Sequence, residues 1–284
     1  TKAAAHQVRV GWTCGDDPSR QPVDLPMVDA GAYDPARAAA ARAAGKEVWI
    51  YGGYRPASGT VFTDTEAVSL RTLGWIAAMT GIPRWFIWET TFWYDGNRGG
   101  HGAYDPFVSA ETFHNRDGEA AMGDGVLVYP GRQLDGFTEH SLDIDGVIPS
   151  IRLKNLRRGV QDAGYYLLAR AARPAEADRI ARALLPRILA EAIPGAPPAW
   201  SERGAPFFAA RRALARLIAP GADPGPPAGV GAAPPEGKGG AAGASPRRRR
   251  KRTWAALAVA GLVAVAALAT ALRAAARARR QASS

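Results

Sequence analysis

Between residues 8 and 91 the apolar positions fall into four short blocks, separated by polar, glycine-rich or helix-patterned stretches. Val8-Arg9-Val10-Gly11-Trp12, Leu25-Pro26-Met27-Val28-Asp29, Glu47-Val48-Trp49-Ile50-Tyr51 and Trp85-Phe86-Ile87-Trp88-Glu89-Thr90-Thr91 are the blocks, and each predicts a strand. Between the second and third, Asp34 and Pro35 have the chemistry of a helix N-cap and first position, and the Ala/Arg run that follows stops at Gly45. Residues 65–80 repeat apolar side chains at helical spacing and stop at Gly81 and Pro83. Strands alternating with helices imply a parallel sheet covered by helices, and the four strands with their helices fit half of a (β/α)8 barrel.

The pattern then changes. Residues 95–125 are rich in Gly, Asp, Asn and His and predict a long loop, a class that usually carries function or lacks fixed structure. Val126-Leu127-Val128-Tyr129 predicts a further strand, Ser150 caps a helix running to 172, and a second helix is expected over 175–193. Residues 1–195 thus form a body large enough for its own core. Residues 196–219 extend it, with one short helix over 201–218 carrying Phe207, Phe208, Leu214 and Leu217. Residues 220–246 are Pro, Gly and Ala with almost no large apolar side chains, the composition of a disordered linker.

Charge enters at the C-terminal region, 247–284. Of the 36 Lys and Arg, ten fall there, with no acid; the remaining 26 basic residues match the 26 acidic ones, so the net charge of +10 belongs to this region alone. Arg247 to Arg252 precede an uncharged stretch over 254–272, and Arg273, Arg277, Arg279 and Arg280 follow it. A helix over that stretch would rise about 28 Å, near the thickness of a bilayer's hydrocarbon core. Its apolar residues circle the helix without a polar face, which favours spanning over lying on a surface. The basic flanks therefore point to anionic lipid rather than nucleic acid. Six basic residues before the span and four after it place the body in the cytoplasm by the positive-inside rule. A substrate met outside the cell would demand the opposite, extracytoplasmic side.

In a barrel the site lies at the C-terminal ends of the strands. That position selects Cys14, Asp16 and Asp17 after the first strand, and Asp29 and Tyr33 after the second. Tyr51 and Tyr54 follow the third, and Trp88, Glu89, Trp93, Tyr94 and Asp95 the fourth. Aromatic rings among carboxylates suit a sugar, stacking on pyranose faces while polar tips bond hydroxyls. Trp49, Trp75 and Trp85 read as core. Glu89, inside an apolar block, is either a site acid or a salt-bridged structural group. The lone Cys14 excludes an intrachain disulfide and reads as a small buried residue. No cofactor is implied: there is no P-loop, dinucleotide fingerprint or Ser/His/Asp grouping. No metal site is implied either, because the four histidines lack ligand spacing and Asp143-Ile144-Asp145-Gly146 and Asn115-Arg116-Asp117-Gly118-Glu119 fit turns better than calcium loops.

Five ordered blocks carry a resemblance. They are Gly45-Lys46-Glu47-Val48-Trp49-Ile50-Tyr51, Arg71-Thr72-Leu73-Gly74-Trp75, Phe86-Ile87-Trp88-Glu89, Gly123-Asp124-Gly125-Val126-Leu127-Val128-Tyr129-Pro130-Gly131, and the run from Ser150 through Arg152, Asn155 and Gly159 to Asp162. Over 8–172 the chain resembles the catalytic domain of glycoside hydrolase family 123. The resemblance implies a (β/α)8 barrel and an exo-acting β-N-acetylgalactosaminidase. In its substrate-assisted mechanism an adjacent Asp-Glu pair orients the substrate's acetamide and protonates the leaving oxygen.

This sequence contains no Asp-Glu dipeptide. The resemblance makes its strands the fifth to eighth and puts the pair before Thr1, so no catalytic residue is expected within the chain. Asp16-Asp17 follows the wrong strand for that role. What the resemblance leaves to this half is the sugar pocket. Tyr51 would orient the acetamide, Trp88 and Trp93 would wall the pocket, Glu89 would bind a hydroxyl, and Tyr94 would lie beside them. Arg152 and Asp162 read as structural ion-pairing residues. A carbohydrate-binding barrel without its acids, tethered to a membrane, is the competing expectation, and a tail-anchored protein with no sugar chemistry is the third.

Overall fold

The computed structural model describes residues 9–14, 17–114, 120–132 and 142–219. The expected linker over 220–246 and membrane span over 254–272 lie outside those residues. Among the described residues no helix is long and apolar enough to cross a membrane.

Four strands, β1 (Gly11–Cys14), β2 (Leu25–Asp29), β3 (Trp49–Tyr51) and β4 (Trp85–Phe86), form one sheet in that order, each parallel to its neighbour. The register sets Val28 beside Ile50 and Ile50 beside Trp85, while Asp29, Tyr51 and Phe86 make the next row. Successive side chains along a strand point to opposite faces. The first row therefore enters the helix-covered core, and the second opens on the other face at the C-terminal edge.

Two helices cover the first face directly. α1 (Pro35–Ala43) starts where Asp34 accepts from the Ala36 and Arg37 N–H groups at 2.8 and 3.1 Å, with Pro35 in the first turn. α2 (Ser69–Thr80) ends at Gly81 in the left-handed region. Ala38 and Ala41 of α1 and Trp75 and Ile76 of α2 pack with Val28 and Ile50 in one cluster.

Three further helices back this layer: α3 (Ile151–Ala172), α4 (Pro174–Leu184) and α5 (Gly204–Ile218). Tyr166 and Ala169 of α3, Ala177 and Ala181 of α4, and Phe207 and Leu214 of α5 join the same core. α2 and α3 touch backbone to backbone, because a Cβ on Gly74 would sit 2.2 Å from the Gly159 carbonyl oxygen. Three residues beyond Gly159, fully buried Asp162 accepts from Arg71 Nε at 2.6 Å, Trp75 Nε1 at 2.9 Å and Arg211 Nε, joining α2, α3 and α5. Two guanidiniums and an indole satisfy one buried carboxylate, the condition under which such a charge is tolerated.

Several boundaries depart from expectation. The second strand and the first helix lie where the pattern puts them, but β1 begins three residues later than expected. Its entry is held by the Val10 carbonyl, which accepts from both Asp24 and Leu25. α2 begins at Ser69 rather than 65, and Glu66 in the preceding turn pairs with Arg55 at 3.1 Å and Trp200 Nε1 at 2.9 Å. The fourth strand is two residues long rather than seven. The second C-terminal helix stops at Leu184, before Pro186, because the residue ahead of a proline is driven from helical geometry; Leu185 sits at φ −126°, ψ 77°. α5 starts at Gly204, three residues after its expected start. The loop over 95–125 contains a hairpin, β5 (Glu111–His114) with β6 (Ala120–Met122), which the sequence pattern did not show. β7 (Val128–Pro130) pairs with a further unexpected strand, β8 (Val147–Pro149).

Candidate active site

Beyond β3 and β4 the chain folds back over the C-terminal edge of the sheet. It leaves a cavity of about 150 Å³ lined by Asp29, Tyr51, Gly52, Gly53, Thr60, Val61, Phe62, Ile87, Trp88 and Asp124. Asp29 and Tyr51 arrive from adjacent strands in register. The connection from β3 to α2 adds the segment 60–62. It packs so closely on the start of α2 that a Cβ on Gly59 would lie 1.8 Å from the Ser69 carbonyl oxygen. Thr72 Oγ1 and Ser69 Oγ accept from the Gly59 and Thr60 N–H groups at 3.0 and 2.8 Å.

Trp88 sits just beyond β4, 41% exposed, with one edge against Phe92 and Phe113 at ring-centroid distances of 4.8 and 5.3 Å. An indole held by aromatic neighbours and open to a cavity is a ready stacking surface. Asp124 comes from the turn before β7. Gly125, next to it, has φ +76° and no room for a side chain, since a Cβ would meet Phe92 Cβ at 2.7 Å and Trp88 Cζ3 at 3.0 Å.

The electrostatics of this cluster are unusual for surface carboxylates. Burial raises the pKa of Asp29, offset in part by the Gly31 and Ala32 N–H groups; Gly31 N donates to Oδ1 at 2.7 Å. Burial likewise raises Asp124, offset by the Gly125 N–H and the charge of Arg152. Burial also raises the Tyr51 phenol, and Asp124 and Asp29 raise it further. Tyr51 therefore keeps its proton at neutral pH and can donate a hydrogen bond into the cavity. Two carboxylates with spare acceptor capacity flank it. Donor, acceptors and an aromatic face around one small cavity are the fittings for a polyhydroxylated ring.

The structure brings together Asp29, Tyr51 and Trp88 of the residues expected at strand ends, and corrects several others. Glu89 does not line the cavity. Its Oε1 accepts from Thr90 N at 2.8 Å, Thr91 N at 3.0 Å and Thr91 Oγ1 at 3.1 Å, which answers the open alternative as a local turn cap. Trp93 is only 6% exposed, donates to the Val128 carbonyl at 2.9 Å and packs with Val126, so it is core rather than wall. Tyr94 is 54% exposed and outside the cavity lining. Tyr33 is core, its hydroxyl accepting from Arg42 at 3.2 Å. Tyr54 is exposed, with its ring against Gly31.

Asp17 caps its own turn through Ser19, whose hydroxyl holds its carboxyl below the ordinary range. It lines a separate polar crevice with Arg20, Gln21 and Arg37, and there the groups answer one another, with Arg20 3.8 Å from Asp17. Asp16 and the side chains of Cys14 and Asp95 lie outside the described residues. Arg152, expected to pair with an acid, donates to three main-chain carbonyls, and its charge acts on Asp124. Among the described residues no three His, Cys, Asp or Glu side chains converge as a metal ion would need. Asp124 was missed as a site residue. Its one signal was an Asp between two glycines ahead of an apolar run.

Residues 9–167 match the model of the glycoside hydrolase 123 catalytic domain. The chain belongs to glycoside hydrolase family 123. No curated protein matches it. Among solved structures it is similar to a family 123 glycoside hydrolase from Clostridium perfringens, described in connection with glycolipid glycan hydrolysis. The identity is 14% and the TM-score 0.47, over 77% of this chain and 36% of that one. The chain therefore spans about a third of that enzyme's length. Within the family 123 domain, the cavity lies where three of the resemblance-bearing blocks meet: Tyr51 closes one, and Trp88 and Asp124 lie in two others.

Proposed function

We propose that this chain is the sugar-binding half of a glycoside hydrolase that removes terminal β-linked N-acetylhexosamine, N-acetylgalactosamine foremost, by a substrate-assisted mechanism. The observation that carries it is the cavity at the strand ends of a family 123 domain, where the Tyr51 hydroxyl, the Trp88 face and two desolvated carboxylates converge. Trp88 packs on the pyranose. Tyr51 donates to the acetamide and holds it toward the anomeric carbon. Asp29 and Asp124 accept from ring hydroxyls.

The acetamide oxygen attacks the anomeric carbon as the bond to the leaving oxygen breaks, and a carboxylic acid supplies that oxygen with its proton. Four strands do not close a barrel. The Asp-Glu pair that orients the acetamide and delivers the proton is not among residues 1–284. Residues 254–272 anchor the domain in a membrane, with the body on the extracytoplasmic side where glycans are met.

Hydrolysis of 4-nitrophenyl N-acetyl-β-galactosaminide by the assembled barrel tests this reading. Turnover should fall stepwise as the acetamide is fluorinated, because fluorine weakens the attacking oxygen; a rate blind to fluorination would reject substrate assistance. Loss of membrane sedimentation on truncation before Arg247 tests the anchor. A second reading, a binding domain without catalysis, is favoured by the absence of an Asp-Glu dipeptide from the sequence. Retention on N-acetylgalactosamine-bearing glycans without hydrolysis by any assembled form would establish it.

A further inference from the structure

We propose that Arg152 is a positioning residue for the sugar pocket, holding its two facing walls at a fixed separation through their main-chain carbonyls. This rests on the sugar-pocket reading above. One wall is the segment 60–62, and the other is the Gly123-Asp124-Gly125 turn. Arg152 reaches both from the first turn of α3. Nη1 donates to the Val61 carbonyl and, at 2.7 Å, to that of Gly123, and Nη2 donates to the Val126 carbonyl. Asp124 is thus bracketed by two carbonyls tied to the same guanidinium.

Three observations separate this role from general stabilisation. First, all three carbonyls belong to the pocket walls or their immediate flanks. The helix that carries Arg152 is secured independently, by Ser150 Oγ accepting from Leu153 N at 3.1 Å and by the Gly74–Gly159 crossing. Second, Arg152 is buried and directs its hydrogen bonds to carbonyl dipoles that this wall geometry supplies, while its charge acts on Asp124, the pocket residue between two of those carbonyls. Third, the seat is cut to the guanidinium. Gly123 has φ +70°, and a Cβ there would lie 3.1 Å from Arg152 Nη1 and 2.5 Å from Thr63 Cγ2. A planar fork can hold three carbonyls at once, whereas an ammonium is a point donor on a flexible stem.

The test uses the full chain, carbon-13 labelled, as parent and as Arg152→Lys, which keeps the charge and loses the fork. Two quantities are followed by NMR: the pH titration of the Asp124 carboxyl and the affinity for N-acetylgalactosamine. Released walls admit water to Asp124. In folded Arg152→Lys its titration should therefore move down toward the ordinary aspartate value of 3.8, and sugar affinity should weaken about tenfold. An Asp124 titration identical to that of the parent would overturn the proposal.

If Arg152→Lys does not fold, Gly123→Ala decides instead. It keeps the arginine side chain but wedges a methyl into its seat; water entering between the walls lowers the Asp124 titration and a retreating guanidinium raises it, so a titration moved from the parent's is expected and an unmoved one overturns the proposal. If the parent binds no N-acetylgalactosamine, the sugar reading fails while the Asp124 titration still decides the role of Arg152.

Discussion

Asp162 and Asp124 are both carboxylates withdrawn from water, and the protein treats them in opposite ways. Asp162, between helices, is closed off: Arg71, Arg211 and the Trp75 indole occupy its oxygens, and it is fully withdrawn from solvent. Asp124, at the strand ends, is desolvated with a backbone N–H and a nearby guanidinium for compensation, and it lines open volume beside Asp29 and Tyr51. A saturated buried charge has nothing left to offer a ligand, whereas an undersatisfied one raises the affinity for whatever donates to it. The helical layer is therefore the part that holds the fold, and the strand-end layer is, on the sugar-pocket reading proposed above, the part that gives up stability for binding.

The contrast is broken most sharply at Asp162. Asp162→Ala strands two guanidiniums, and the expected loss is about 3–5 kcal/mol, enough to unfold a marginal domain in a urea titration. Phe207→Ala, in a helix beyond the matched residues 9–167, removes a fully buried ring under Arg71. It should cost about 3–5 kcal/mol, and a change below 1 kcal/mol, read against the range for surface substitutions, would show that α5 is dispensable to the domain.

At the strand ends the expected effects fall on ligand rather than fold. Trp88→Ala should weaken sugar binding by roughly three- to tenfold, the worth of one aromatic contact, with the unfolding midpoint little changed. Tyr51→Phe should lower turnover of the assembled enzyme while leaving its unfolding curve in place, and an unchanged rate would remove Tyr51 from acetamide orientation.

The smallest effect sharpens the comparison by its sign. A carboxyl whose pKa is raised on folding binds its proton more tightly in the folded state. Stability therefore falls as pH rises from the unfolded pKa through the folded one, and stays reduced above it. Asp124→Asn and Asp29→Asn should each stabilise the fold modestly at pH 7, with the gain vanishing below the unfolded-state pKa. Measured by thermal unfolding across pH, destabilisation at pH 7 would mean that these carboxylates are structural after all.

Much of this division could be read in the sequence. Asp34-Pro35 ahead of an alanine run closed by Gly45 fixes α1 by local chemistry alone, and Leu25–Asp29 has the β pattern at full length. Where tertiary structure overrides propensity, the reading failed. Trp85 to Thr91 is as β-prone as any stretch in the chain, but only two residues pair, because Trp88 leaves the sheet for the cavity and Glu89 caps the turn that takes it there. The hairpin of β5 and β6 hides in short segments without alternation.

Tyr51 and Trp88 were accessible from the rule that barrel sites lie at strand ends. Asp124 was not, because it arrives from a turn some seventy residues beyond Tyr51 and only folding sets them side by side. Arg152 reads in the sequence as a structural ion-pairing residue, and only folding shows the three carbonyls it donates to.

The central claim is that the cluster of Asp29, Tyr51, Trp88 and Asp124 is a sugar site. The most direct test is to titrate the labelled chain with N-acetylgalactosamine and map the side-chain resonances that move. Shifts centred on the Trp88 indole, the Tyr51 ring and the Asp29 and Asp124 carboxyls, with none at Asp17 or Asp162, are the expected result. A sugar that leaves all four unmoved, or moves the Asp17 crevice instead, would contradict it.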